Sequence, residues 1–368
     1  MVIQLKLSIK QAFAPLLLAA ALAVTAGCSN DSNAAGRSSS PAVKADGPAS
    51  AAASSPAASS SSASGGGAAV DLSKVTLRVG QTGWGNYEQG FRAAGLDDTP
   101  YKIEFSVFQG GNLQLEAIAA DHLDVALTSE IPPIFASQAA GGGNFKVIAL
   151  QNANTLNQEL VVPKHSPIKA VADLAGKKVA YVKATTAHYF LVKMLNEAGL
   201  EWSDIKPVEL TTADGLSALL GGKVDALASY GNAIISARAN GATTLASAKD
   251  ILSGNFPIEA TPAAIADPAK HAAIADFLNR INRFNEWQRA HQEEWAKLTA
   301  EATHQELGQA LQTIKEGEAQ RPTRINPVTP EAIASNQDVA DTLQAVGLLQ
   351  SKVDVSGFYS DAFKNDIP

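Results

Sequence analysis

The stretch Lys178-Val179-Ala180-Tyr181-Val182-Lys183-Ala184-Thr185-Thr186-Ala187-His188-Tyr189-Phe190-Leu191-Val192 contains the unit from which the fold is built. A short apolar run, Lys178–Val182, reads as a strand. A hydroxyl-bearing turn follows it, and from Thr186 to Ala198 the apolar residues recur at helical spacing. A strand that runs through a tight turn into an amphipathic helix is the repeating element of an α/β sheet with crossover helices.

The same alternation extends outward on both sides. Further strands are predicted at Val75–Gly80, Lys102–Phe108, Leu123–Leu127, Lys146–Gln151, Glu159–Val162, Pro207–Leu210 and Val224–Ala228. Helices are predicted at Leu113–Ala120, Ile134–Ala140, Ala213–Leu220 and Ala233–Asn240. This pattern implies a mostly parallel sheet. From Asp267 onward charged helices dominate, over Ala269–Ala300, His304–Glu316 and Pro330–Ala345, interrupted by a loop from Arg321 to Pro327. The expected division is two α/β lobes. Residues 71–161 and 261–368 form the first, and residues 162–260 form a second one inserted into it.

The amino-terminal part has a different composition. Lys6 and Lys10 precede an apolar run, Phe13 to Val24, and small residues lead to Cys28, the only cysteine. This resembles a bacterial lipoprotein signal, with residues 1–27 removed and lipid placed on Cys28. Ser29 to Val70 is almost wholly Ser, Ala, Gly and Pro. It reads as a flexible tether of about 35 Å root-mean-square span. An extracytoplasmic, membrane-anchored protein is expected. The formal charge of the whole chain is -7, which disfavours a nucleic-acid partner.

In open α/β sheets, ligands bind beyond the carboxyl ends of the strands, where helix N-termini present N–H groups. The turns at those positions are Gln81-Thr82-Gly83-Trp84-Gly85, Gln109-Gly110-Gly111-Asn112, Thr128-Ser129-Glu130, the Thr185-Thr186 turn, Thr211-Thr212 and Ser229-Tyr230-Gly231-Asn232. Hydroxyls, amides, glycines and aromatic rings with few charges suit a small ligand with an oxyanion head and an organic body. Each residue also has a purely structural reading: Thr185 or Thr186 as a helix cap, Asn112 as an N-cap, Pro132 as a helix start.

Several segments together resemble the substrate-binding proteins of ABC importers for aliphatic sulfonates, close to those for taurine and nitrate. They are Glu130-Ile131-Pro132-Pro133-Ile134-Phe135-Ala136 with Ala139-Ala140-Gly141, then Ser166 through Ala180, and His188 in its Thr-rich turn. Leu195 to Leu200, Val224-Asp225-Ala226 and Arg321-Pro322 through Pro327-Val328 complete the set.

The resemblance implies the periplasmic binding protein fold of type II kind: two lobes that close on a ligand and dock on a permease, without catalysis, cofactor or metal, as a monomer. It places Gln81, Thr82, Gly111, Asn112, Ser129, Glu130, Thr185, Thr186, His188 and Tyr230 at the cleft, around a small organosulfur anion, and the turn after the first strand adds Trp84. Tyr230-Gly231-Asn232 stands where the family tends to show Trp-Asp-Pro, and Trp84 is unusual; both favour a bulkier or aromatic ligand. Glu130 either caps a helix or receives an amino or hydroxyl group of the ligand. His188 either donates to the oxyanion or is a structural histidine.

Other classes remain as alternatives. A sensory binding protein, or a nitrate, taurine or pyrimidine binder, would share the fold. An enzyme is less favoured, because no nucleophile elbow is present, Gly83-Trp84-Gly85 lacks a third glycine at Glu88, and the histidines are scattered. His291-Gln292-Glu293-Glu294 reads as a solvated helix face.

Overall fold

A computed structural model describes residues 70–368. The leader, Cys28 and the tether up to residue 69 lie outside the described residues. Among the described residues no helix is long and apolar enough to cross a membrane.

The chain runs β1 (Thr76–Thr82), α1 (Asn86–Ala93), β2 (Lys102–Phe108), α2 (Gly111–Ala119), β3 (Val125–Leu127), α3 (Ile131–Ala136) and β4 (Lys146–Asn152). It continues through β5 (Gln158–Val162), β6 (Lys178–Tyr181), α4 (Thr186–Glu197), β7 (Lys206–Glu209), α5 (Thr212–Leu220), β8 (Ala226–Tyr230), α6 (Asn232–Ala239) and β9 (Thr243–Ser247). It ends with β10 (Asn255–Ala260), α7 (Pro262–Ala266), α8 (Pro268–Ala290), α9 (Gln292–Thr303), α10 (Leu307–Gln320), β11 (Arg324–Asn326) and α11 (Pro330–Ala345).

Two sheets form the two lobes, in the orders β11-β4-β10-β3-β1-β2 and β7-β6-β8-β5-β9. Both are mixed rather than mostly parallel. β1 runs parallel to β2 and β3, and β6 parallel to β7 and β8. β10 is antiparallel to β3 and β4, and β5 is antiparallel to β8 and β9. β11 is likewise antiparallel to β4, at the sheet edge. Two of the antiparallel strands, β5 and β10, directly follow a passage between lobes. No crossover helix precedes them, so nothing imposes the parallel direction.

Gln158–Val162 belongs to the second sheet and Asn255–Ala260 to the first. The passages therefore lie at 153–157 and 248–254, earlier in both cases than the expected changes at 162 and 260. β9 and β10 are additional to the predicted strands. Pro257 and Glu259 disguise β10, since proline removes a ladder donor. It is tolerated because β3 ends at Leu127, opposite Ile258. The expected loop from Arg321 to Pro327 contains β11, which pairs with β4 through a fully buried Ile325. The long predicted helix 269–300 breaks at His291 into α8 and α9.

The first lobe's core lies between its sheet and α8, where Phe91 meets Phe277 and Phe284 at centroid distances of 5.8 and 6.0 Å. The second lobe's core gathers Phe190, Leu191 and Leu195 of α4 against Leu160, Val179 and Ala228. Rigid lobes on double passages position everything that follows.

Candidate ligand-binding cleft

Three adjoining spaces lie at the carboxyl ends of the parallel strands. The largest, about 520 Å³, is lined from the first lobe by Thr82, Gly83, Trp84, Asn86, Phe108 and Gln109. From the second lobe it is lined by Thr212, Ala213, Leu216, Tyr230, Gly231, Asn232, Ala233 and Ser236. The next, about 250 Å³, lies between Gly111, Thr128 and Ser129 on one side and Gln158, Thr185 and Thr186 on the other. A third of about 190 Å³ reaches Tyr87, Gln151 and Phe256. Thr82 borders all three, so they lie side by side in one cleft region. No Asp, Glu, Lys, Arg or His lines any of them.

Helix starts supply the polarity. α2, α4 and α6 begin at this cleft, and none has an acidic residue in its first turn. Their unpaired N–H groups and positive dipole ends are therefore not neutralised. Gly111 lets α2 approach closely: a Cβ there would sit 2.8 Å from Thr128 Cβ. α4 is capped by Thr185, whose Oγ1 accepts from Ala187 N at 3.3 Å and donates to Val182 O at 2.7 Å. The Thr185 hydroxyl proton is thereby committed to the protein, while Thr186, the first residue of α4, lines the cleft beside it.

Thr82 is fixed by Gln114, which donates to its Oγ1 at 2.8 Å and clamps Leu127 through both N and O. Gln81 is fully buried behind it, its Oε1 accepting from Tyr87 N, and does not line the cleft. Asn112 borders a separate space beyond Gln109, alongside Lys183, Glu209 and Asp214. Tyr230 lies at the centre, and its hydroxyl crosses the lobe boundary to donate to Gln109 O at 3.2 Å.

Glu130 and His188 are directed elsewhere. The Glu130 carboxylate accepts from Ser253 Oγ and, at 3.3 Å, from Asn255 Nδ2, both near the second passage. It makes no side-chain cap on α3, and burial raises its pKa. His188 is 2% exposed among Phe135, Tyr181 and Trp202, at centroid distances of 5.6, 4.8 and 5.0 Å. Loss of hydration, reinforced by the nearby Lys183 charge, pulls its pKa down to about 4. A neutral imidazole thus lies between Phe135 of the first lobe and Tyr181 and Trp202 of the second, and it does not line the cleft.

Gln158 and Asn86 line the cleft without belonging to the turns named from the sequence, whereas Thr128 belongs to one of them. Gln158 opens β5 opposite Tyr230 in register, is 7% exposed, lines the 250 Å³ space and has no partner for Oε1. It sits at the start of an antiparallel strand, where a rule about carboxyl ends cannot find it. Thr128 lines the same space, and its Oγ1 lies 2.6 Å from Glu259 Oε1. Glu259 is fully buried, which pushes its carboxyl well above the usual range.

Known proteins share this architecture. The family described as the ABC transporter, phosphonate, periplasmic substrate-binding protein matches residues 97–321. A protein of Escherichia coli (strain K12) named for binding aliphatic sulfonates is 32% identical over 260 residues, covering 69% of this chain and 78% of the relative. The alkanesulfonate-binding protein SsuA from Xanthomonas axonopodis pv. citri, solved bound to MOPS, matches with a TM-score of 0.69 at 26% identity. That match covers 77% of this chain and 98% of that one. The desulfurization enzyme DSZB matches with a TM-score of 0.56 at 17% identity, over 79% of this chain and 98% of that one, a likeness of fold alone. With two mixed sheets, a double passage and a neutral cleft at the helix starts, the chain belongs to the periplasmic substrate-binding proteins of ABC transporters, in the family of the aliphatic sulfonate-binding proteins.

Proposed function

We propose that the protein captures a sulfonate or sulfate ester in the cleft and delivers it unchanged to a membrane permease. The observation that carries this reading is the convergence of three helix N-termini, free of acidic first turns, on a cleft without charged side chains. Backbone N–H groups and hydroxyls can hold an anion there. The amide of Gln158, donating through Nε2, and the neighbouring hydroxyls of Ser129 and Thr186 supply side-chain contacts.

A sulfonate is a monoanion with no proton to place, so a site made of neutral donors satisfies it. A phosphonate near neutral pH carries a second charge in much of its population, and no cationic side chain lines the cleft to balance it. The state of Glu259 argues against turnover: it meets the lining hydroxyl of Thr128, but burial pushes its carboxyl well above the usual range and disfavours the carboxylate that a base would need.

Thermal unfolding of residues 71–368 against alkyl and aryl sulfonates, sulfate esters, taurine, nitrate and methylphosphonate tests the reading. A sulfonate at a hundred times its dissociation constant should add about 2.7 kcal/mol of stability. Replacing Thr186 with Val and Gln158 with Leu should each weaken binding by about 1 kcal/mol. A phosphonate that binds more tightly than its matched sulfonate, or a sulfonate recovered as product, would overturn it.

Membrane attachment rests on the leader pattern before Cys28. Intact-mass analysis should show lipid on Cys28, and Cys28→Ser should move the protein to the soluble fraction; unchanged membrane retention would refute the anchor.

A further inference from the structure

We infer that the ligand's organic part is a neutral ring, aromatic or of similar girth, held in the 520 Å³ space against Trp84. The inference rests on the sulfonate reading above and specifies the substrate class it admits.

The cleft is divided by function. The 250 Å³ space is the smaller, lies at the start of α4 and carries the hydroxyl of Thr186 and the amide of Gln158 on otherwise largely apolar walls. It suits an oxyanion head. The 520 Å³ space adjoins it through Thr82, Tyr230 and Gly231 and is twice as large. A methyl or ethyl tail would leave it filled with water, whereas pockets of roughly 300–1,000 Å³ are typical of larger organic ligands.

Its walls combine amides and hydroxyls with one braced aromatic surface. Trp84 stands on the first lobe between Gly83 and Gly85, whose φ values of +104° and +81° form a loop that other residues rarely adopt. Trp295 backs the ring at a centroid distance of 5.3 Å, and Phe284 supports Trp295 edge-on at 5.1 Å. The indole is thus braced from behind before any ligand arrives, which lowers the ordering cost of a contact on its cleft side. Facing it from the second lobe are Ala213, Leu216 and Ala233. Small aliphatic side chains opposite a braced indole leave a slot in which a ring can lie against the indole face.

Charge decides the remaining choice. An ammonium group on the organic part, as in an amino sulfonate, is best balanced by a carboxylate, and none lines the space, whose aromatic residues are Trp84, Phe108 and Tyr230. Amides and hydroxyls at the rim, such as Asn86, Asn232 and Thr212, can receive a neutral polar substituent but cannot balance a charge.

Calorimetric titration with methanesulfonate, butanesulfonate, benzenesulfonate, 2-naphthalenesulfonate and taurine tests this. Affinity should rise along the first four, and taurine should bind more weakly than butanesulfonate. Trp84→Ala should weaken 2-naphthalenesulfonate by about 30-fold, from lost apolar burial and stacking, and methanesulfonate by less than about 3-fold. Leu216→Trp, which fills the slot from the opposite wall, should reproduce that selectivity and guards against a folding defect in the first variant. Equal affinities across the wild-type series, or parallel losses in both variants, would overturn the ring assignment while leaving a sulfonate site intact. If no sulfonate binds to the folded protein, the underlying reading falls with it.

Discussion

On the hinge edge of the lobe boundary, Ile131, Ile134 and Phe135 of the first lobe bury against Tyr189 and His188 of the second. On the cleft edge the lobes meet through hydrogen bonds: Thr212 Oγ1 and Tyr230 O–H donate to Gln109, and Gln305 Nε2 donates to Asn232 at 3.4 Å. The difference lies in what water can replace. Apolar contact is lost in proportion to the area exposed, while a hydrogen bond at an exposed rim exchanges with solvent for about 1 kcal/mol or less. The boundary should therefore stay closed at the hinge and open at the cleft.

The largest test of that contrast removes apolar contact at the hinge. Ile134 is fully buried in the cluster that includes Tyr189, Val339 and Leu343. Ile134→Ala should cost about 3 kcal/mol, within the range for large-to-small core changes, as read from urea unfolding. A loss below about 1 kcal/mol would mean that the hinge edge is no firmer than the cleft edge.

The second test uses acid. His188 has an ordinary pKa of 6.5 and is held at about 4 by burial, so the folded state favours its neutral form. A depressed folded-state value gives stability that is present above pH 6.5 and is lost as pH falls toward 4. The shift corresponds to about 3 kcal/mol at most, since each unit is worth about 1.4 kcal/mol. Because His188 stacks on Phe135 across the boundary, with interplanar angle 21°, protonation should loosen the hinge edge itself. His188→Phe keeps an aromatic ring and removes the charge. It should show a flatter decline of stability over that window than the wild type, whereas identical pH profiles would remove His188 from the acid response.

What could be seen in the sequence follows the same division. The parallel strands and the turns after them were legible because apolar runs and hydroxyl- or glycine-rich turns sit next to each other in the chain. Thr82, Trp84, Ser129, Thr186 and Tyr230 do line the cleft. The lobe boundary was not legible, because it depends on partners far away in sequence. Glu130 looks like a cleft residue until Ser253 and Asn255 claim its carboxylate from the returning passage. His188 looks like a donor until Phe135 and Trp202 enclose it. β10 carries a proline and a buried acid, so local patterning argues against the strand that joins β3 to β4. Gln158 has no local signature at all, and only its burial without a partner marks it.

The smallest energetic effect bears most directly on how the protein works. Gln109 joins the lobes twice, its side-chain Oε1 accepting from Thr212 and its main-chain O from Tyr230. Gln109→Ala removes the first bond and keeps the second, and Tyr230→Phe does the reverse. Neither should change unfolding stability by more than about 1 kcal/mol, because both bonds lie where water can take over. Each should instead shift the unliganded protein toward open forms and enlarge its radius of gyration in solution scattering. Affinity then falls by the fraction of closed molecules lost, about 5-fold per bond if each contributes about 1 kcal/mol to closure. A penalty on closure is the same for every ligand that needs the closed state, so Gln305→Ala, which removes a lobe-bridging bond from a residue outside the cleft lining, should weaken methanesulfonate and 2-naphthalenesulfonate by one common factor. That uniformity separates the strap from the Trp84 wall, whose loss discriminates between the same two ligands. Unchanged scattering together with unchanged affinities in Gln109→Ala would show that these bonds accompany closure without holding it.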